Sequence, residues 1–450
     1  MSELRGAHVQ AARMREAALA GAFRSAADSD RLLTATLHDA ADHARVSRRR
    51  LDAIGDEIAD VASDARTQAW DTPTGSRQLQ LFLAAKARDI RTVITDAMAD
   101  ARSRTTMLRS AGDGYGVPAA ERDRINRQAL AADIDRVRNA TQAISAEDMR
   151  RYDNAMQVLD GLRVSAEAGP ALLLTYDPAA FEGRGRAAIA IGDPDTADNT
   201  TVLVPGAHCS VRDGYLSQPD GVNVFQEACH ADPGRSNSVI VWMGYRTPDS
   251  LFDPQVVHPD SARVGGRSLA ADVNALALTH RGAAHVTVIG HSYGSTTVAD
   301  AAAAFGMRAH DVVLVGSPGT DLARSAADFR LSPAGHVYVG ASSMDPITRL
   351  GGHPQLPVPT TSAKVGLGAD PAVEGYGATR FKAEVGGLAS PIRAHSSYFR
   401  PSGEALFSIG DIASGHGDAL ARDHMTALHR RRLPAFDPER LRLGSGNHRH

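Results

Sequence analysis

The segment His285 to Thr296, HVTVIGHSYGST, constrains this chain most, because it demands a strand, a sharp turn and a helix in immediate succession. Gly290 and Gly294 stand two residues either side of Ser292. In a G-x-S-x-G turn the serine is forced into a strained conformation that lifts its hydroxyl clear of the sheet, and the glycines leave room for the crowded backbone. The helix that follows points its free N–H groups and its positive end at the same place, which favours a developing negative charge there. Ser292 is therefore a candidate nucleophile. His291 beside it is read as a structural residue of the turn, because adjacent side chains on a turn point apart.

A serine hydroxyl attacks poorly until a base takes its proton, and the usual base is a histidine oriented by a buried carboxylate. With the chain order serine, acid, histidine, the acid falls at Asp345, just past the strand-like run ending at Gly340, with Pro346 ending any continuation of that strand. The base falls at His395, in the loop after the last strand candidate, Thr379 to Val385. Asp321 as acid, and His353, His416 or His424 as base, fit the order less well. Two backbone donors are needed to hold an oxyanion: Tyr293, following the serine, and Ala207, in the loop VPGAH where Gly206 lets the backbone turn inward.

From the start to about residue 167 the apolar pattern is helical. Leu51, Ile54, Ile58, Val61 and Ala65 form one stripe; Leu83, Ala87, Ile90, Ile94 and Ala97 repeat it, and so do Met149, Tyr152, Met156 and Leu159. Ser145, with Asp148 three residues on, marks the start of the last of these helices. Beyond Gly169-Pro170, short Val/Ile/Leu runs alternate with helical ones, the signature of a mostly parallel sheet covered on both faces. The expected fold class is α/β, with a helical bundle over 1–168, a catalytic domain over 169–425 and a basic tail over 426–450 whose Arg430-Arg431-Arg432 run is solvated. Heptad seams report burial without saying against what. Packing on the catalytic domain is favoured over a partner-binding or self-associating hairpin built around Trp70.

A net charge of -3 supplies no basic field for nucleic acid. No apolar run reaches membrane-spanning length, and the charged amphipathic start differs from a Sec signal peptide. The chain is expected in the cytoplasm, or exported without such a signal. Cys209 and Cys229 match no zinc spacing and read as thiols rather than a disulfide.

Together, Val204-Pro205-Gly206, Trp242 to Tyr245, Gly290 to Ser295, Val315 to Gly319, Asp345-Pro346 and His395 to Phe399 resemble a branch of largely uncharacterised α/β hydrolases found mainly in high-GC Gram-positive bacteria. The likeness covers about residues 170 to 415. It implies an α/β-hydrolase fold and triad roles for Ser292, Asp345 and His395. The Cys-containing segment after Gly206 departs from the pattern. Members of the branch often follow helical segments similar to type VII secretion substrates, though no Tyr-x-x-x-Asp/Glu signature surrounds Tyr152. The expected activity is cleavage of an ester-like bond, in a carboxylic ester, lipid or thioester, with no metal and no cofactor. An acyltransferase with the same residues, and a non-catalytic scaffold, are the rival expectations.

Overall fold

The computed structural model describes residues 41–63, 72–112, 116–141, 143–249, 258–352, 356–357, 364–365, 367–386, 390–432 and 436–450. Trp70 and His353 lie outside them. Two compact units divide at residue 116, the first being 1–116 and the second 117–450.

In the first unit a helix over 41–63 and a 40-residue helix, Pro73–Gly112, bear out the expected stripes only in part: Ile54 is buried, but Leu51, Leu83 and Ile94 are exposed, Val93 outside the stripe is buried, and Ala65 lies outside the described residues. Lys86 pairs with Glu57 between them.

In the second unit eight strands form one sheet among the described residues. They are β1 (Ala171–Asp177), β2 (Arg186–Ile191), β3 (Asn199–Val204), β4 (Asn237–Met243), β5 (His285–His291), β6 (Asp311–Val315), β7 (Val337–Gly340) and β8 (Thr379–Phe381). Their spatial order is β1-β2-β4-β3-β5-β6-β7-β8. β1, β2 and β4 pair antiparallel, and every pairing from β4 onward is parallel. Side chains alternate across the sheet, as strand geometry requires. Val202, Val288, Val312 and Leu314 join Leu269, Val273 and Val298 in one core. Leu203, Ile289, Val313 and Val315 join Val224, Leu406, Ile409 and Ile412 in the other. The helices Asp260–Thr279 and Tyr293–Phe305 approach so closely that a Cβ on Gly266 would lie 2.9 Å from the Ala301 nitrogen.

The helices Ala119–Arg138 and Ala146–Ala166 belong to this second unit, whereas the sequence pattern drew the boundary after residue 168. The reason lies in the polar face of the first. β1 is an edge strand, whose unpaired backbone groups need partners. Arg122 and Asn126 donate to the Leu174 and Leu173 carbonyls, each at 2.9 Å, and Asp123 accepts from the Leu173 N–H at 2.7 Å. The helix thus acts as a side-chain substitute for a ninth strand. Ser145 caps its neighbour as expected, accepting from the Asp148 N–H.

The expectation of a solvated arginine run holds for Arg431 and Arg432, which are exposed, and is corrected at Arg430. Arg430 is buried and bonds to Asp437, Asp370 and Thr348, so the segment is strapped onto the sheet's carboxyl edge. Among the described residues no helix is long and apolar enough to cross a membrane, and no cluster of His, Cys, Asp and Glu has the arrangement of a metal site.

Candidate active site

β5 ends at His291, and the helix Tyr293–Phe305 begins two residues later, so the whole change of direction falls on Ser292. Its φ of 54° and ψ of -129° belong to a region that costs a non-glycine residue on the order of 1–3 kcal/mol. The surroundings hold it there: its N–H donates to the Val315 carbonyl, and its carbonyl accepts from both the N–H and the Oγ of Ser295. The two glycines are needed for contact. A Cβ on Gly290 would lie 2.6 Å from the Ser295 Cα, and one on Gly294 2.4 Å from the Pro205 oxygen.

The structure brings the three side chains singled out in the sequence into one line. The Ser292 hydroxyl lies 2.9 Å from His395 Nε2, and His395 Nδ1 lies 2.9 Å from Asp345 Oδ2. With Nδ1–H donating to the carboxylate, Nε2 is left as the acceptor facing the serine. Asp345 is fully buried. Burial pushes its carboxyl pKa up, but the hydrogen bonds from His395, Tyr398 and the Ile347 N–H outweigh that and hold it below its ordinary value. It is therefore a carboxylate near neutral pH.

The competing residues are engaged elsewhere. Asp321 accepts from Arg263, and His416 pairs with Asp232. His424 is exposed, at the end of a short helix.

Gly206 brings the loop after β3 against the serine, since a Cβ there would lie 2.6 Å from the Ser292 Cβ. The next N–H but one, on His208, is taken by the Pro248 carbonyl, while those of Ala207 and Tyr293 make no hydrogen bond among the described residues. Cys209, two residues on, is a free thiol that burial pushes up to about 12, so it is not a competing nucleophile. Cys229 is also free.

Tyr398 went unassigned in the sequence. Its hydroxyl donates to Asp345 Oδ2 at 2.7 Å and accepts from the Ser342 N–H at 3.1 Å, bracing the acid from behind. Its position three residues after His395 was the available signal. Gly316, at φ +60°, passes beneath the acid and base; a Cβ there would lie 3.1 Å from the His395 ring and 3.2 Å from Asp345 Oδ2.

His291 donates to the His395 carbonyl at 2.9 Å and so ties the turn to the short helix Pro391–Ser396. Burial, and then the adjacent His395, push its imidazole down to about 4. The unfolded group titrates near about 6.5, so below that pH the unfolded chain takes up a proton that the folded chain refuses. Stability is expected to fall by about 3 kcal/mol between pH 6.5 and 4 on this account, then level off. Urea titrations across that window should show the slope flattened in His291→Gln; an unchanged slope would remove His291 as its source.

Residues 177–356 match the family described as alpha/beta hydrolase, and residues 5–120 match a domain of unknown function. An uncharacterised protein of Mycobacterium tuberculosis is 46% identical over 370 residues, which is 74% of this chain and 56% of that protein. The chain thus spans just over half the length of that relative. An uncharacterised protein of Mycobacterium bovis is 34% identical over 183 residues, 39% of this chain and 66% of that one. Among solved structures, an esterase from Mycobacterium marinum aligns over 46% of this chain and 75% of its own at 15% identity, with a TM-score of 0.28. A mostly parallel sheet in this strand order, a serine on a positive-φ turn after β5 and the family match over 177–356 agree: the second unit carries an α/β-hydrolase domain.

Proposed function

We propose that the chain is a serine hydrolase that cleaves an ester-like bond through an acyl-enzyme. One observation carries this: a hydroxyl, an imidazole and a buried carboxylate stand in series at 2.9 Å and 2.9 Å.

As Ser292 Oγ bonds to the substrate carbonyl carbon, its proton passes to His395 Nε2, and Asp345 stabilises the imidazolium that results. The carbonyl oxygen gains negative charge, which the Ala207 and Tyr293 N–H groups meet. Each such donor is worth about 3 kcal/mol of barrier. His395 then returns the proton to the departing alkoxide, which leaves as the alcohol. Water, deprotonated by the same imidazole, attacks the acyl-serine; the acid departs and Ser292 recovers its proton.

A fluorophosphonate probe tests this reading, because it labels only a serine whose proton has somewhere to go. Wild type is expected to label rapidly, and His395→Ala about a thousandfold or more slowly. Absence of labelling in a folded wild-type protein, or equal rates in the two, would refute it. Turnover of esters graded by acyl length then reads the substrate class.

A further inference from the structure

A cavity of about 970 Å³ contains none of the proposed triad. It opens at the sheet's carboxyl edge, between the turn after Asp345, the Gly351-Gly352 and Gly368 backbone, and the strapped C-terminal segment. Its volume suits an organic ligand of nucleotide size.

Three aspartates and six arginines line it, and the acids are already spent. Asp321 takes Arg263 at 2.7 Å. Asp437 takes Arg380 at 2.9 Å and Arg430 at 2.9 Å, and Asp370 takes Arg430 at 3.4 Å. Arg324, Arg349, Arg431, Arg432 and Arg440 are left with no carboxylate partner among the described residues. The crowding registers on Arg349: burial, then the Arg440 and Arg430 charges, push its pKa down. Five guanidinium groups without carboxylate partners around one concavity, with Arg349 and Arg440 close enough to repel, form a site that an anion would relieve. Forked guanidinium donors match the oxygens of phosphate in pairs. Val373 and Phe436 add apolar wall for an organic portion.

We propose that this cavity is a binding site for a phosphate-bearing polyanion, separate from the serine. Inorganic pyrophosphate and adenosine diphosphate are the probes, titrated calorimetrically into the full-length protein. Saturable binding of pyrophosphate that weakens as salt rises is expected. Arg431→Ala and Arg440→Ala should each weaken it by about tenfold or more. Both residues are exposed, so folding should be unaffected, and the urea midpoint of each variant verifies that. Tighter binding of adenosine diphosphate than of pyrophosphate would assign the apolar wall to an organic portion, and equal affinity would assign the site to the bare polyanion. No saturable binding at millimolar concentration of either probe, or binding unchanged in both variants, would overturn the proposal. None of these readouts depends on ester hydrolysis.

Discussion

Ser292→Ala is expected to lower kcat for ester hydrolysis by about 10⁴-fold or more while leaving the fold intact. The size follows from what the hydroxyl does: without it there is no acyl-enzyme, and only the N–H groups of Ala207 and Tyr293 and substrate binding still favour the transition state. The fold should survive because alanine loses one oxygen, whose one side-chain partner among the described residues is His395. The strain at φ 54° is equal for serine and alanine, so it cancels in the comparison. Ser292→Gly is the informative control. Glycine occupies such backbone regions freely, so that variant should be equally inactive and more stable than the alanine variant. Because nucleophile and base act as a unit, adding His395→Ala to Ser292→Ala should cost almost nothing further. Hydrolysis by the alanine variant within tenfold of wild type would sink the assignment, as would a second substitution that multiplied the loss.

The line of three was legible from one local signal and one ordering rule. The turn declares Ser292 through its glycines, and Asp345 and His395 follow from chain order once the strands are placed. Strand placement was easy for a related reason: runs buried on both faces, such as those of β4, β5 and β6, read as near-continuous apolar stretches rich in Val and Ile. What stayed hidden depends on polar pairing across long separations. Arg122, Asp123 and Asn126 carry no local mark of their role, because they dock on β1 about fifty residues later. The arginine run near the C-terminus read as solvated for the same reason. Nothing beside Arg430 in the sequence indicates that Thr348, 82 positions earlier, accepts from two of its nitrogens. Tyr398 illustrates the intermediate case, since its spacing from His395 was visible and its hydrogen bond to Asp345 was not.

Asp437→Ala is expected to destabilise the unit spanning 117–450 by about 3–5 kcal/mol, the usual cost of removing one partner from a buried ionic cluster. The carboxylate accepts two bonds from Arg380, at 2.9 and 3.1 Å, and one from Arg430 at 2.9 Å. Arg380 lies in the middle of β8 with no side-chain exposure. Its remaining bonds go to the Leu428 and Ala341 carbonyls, which cannot neutralise it. Burial pushes the Asp437 carboxyl up, but the two guanidinium groups prevail and hold it below its ordinary value, so the charge removed is a real one. The damage should reach the proposed acid, because Arg430 holds Thr348, whose hydroxyl donates to the Asp345 carbonyl. Activity loss should therefore accompany the stability loss, unlike at Ser292, where only activity falls. Replacing Arg380 by Met together with Asp437 by Leu should cost less than the two single changes summed, since the double variant leaves fewer buried charges unpaired. Urea unfolding of wild type, Asp437→Ala, the two single changes and the double variant decides it: an Asp437→Ala variant within about 0.5 kcal/mol of wild type would mean that water already reaches these charges and that the C-terminal strap is ornamental.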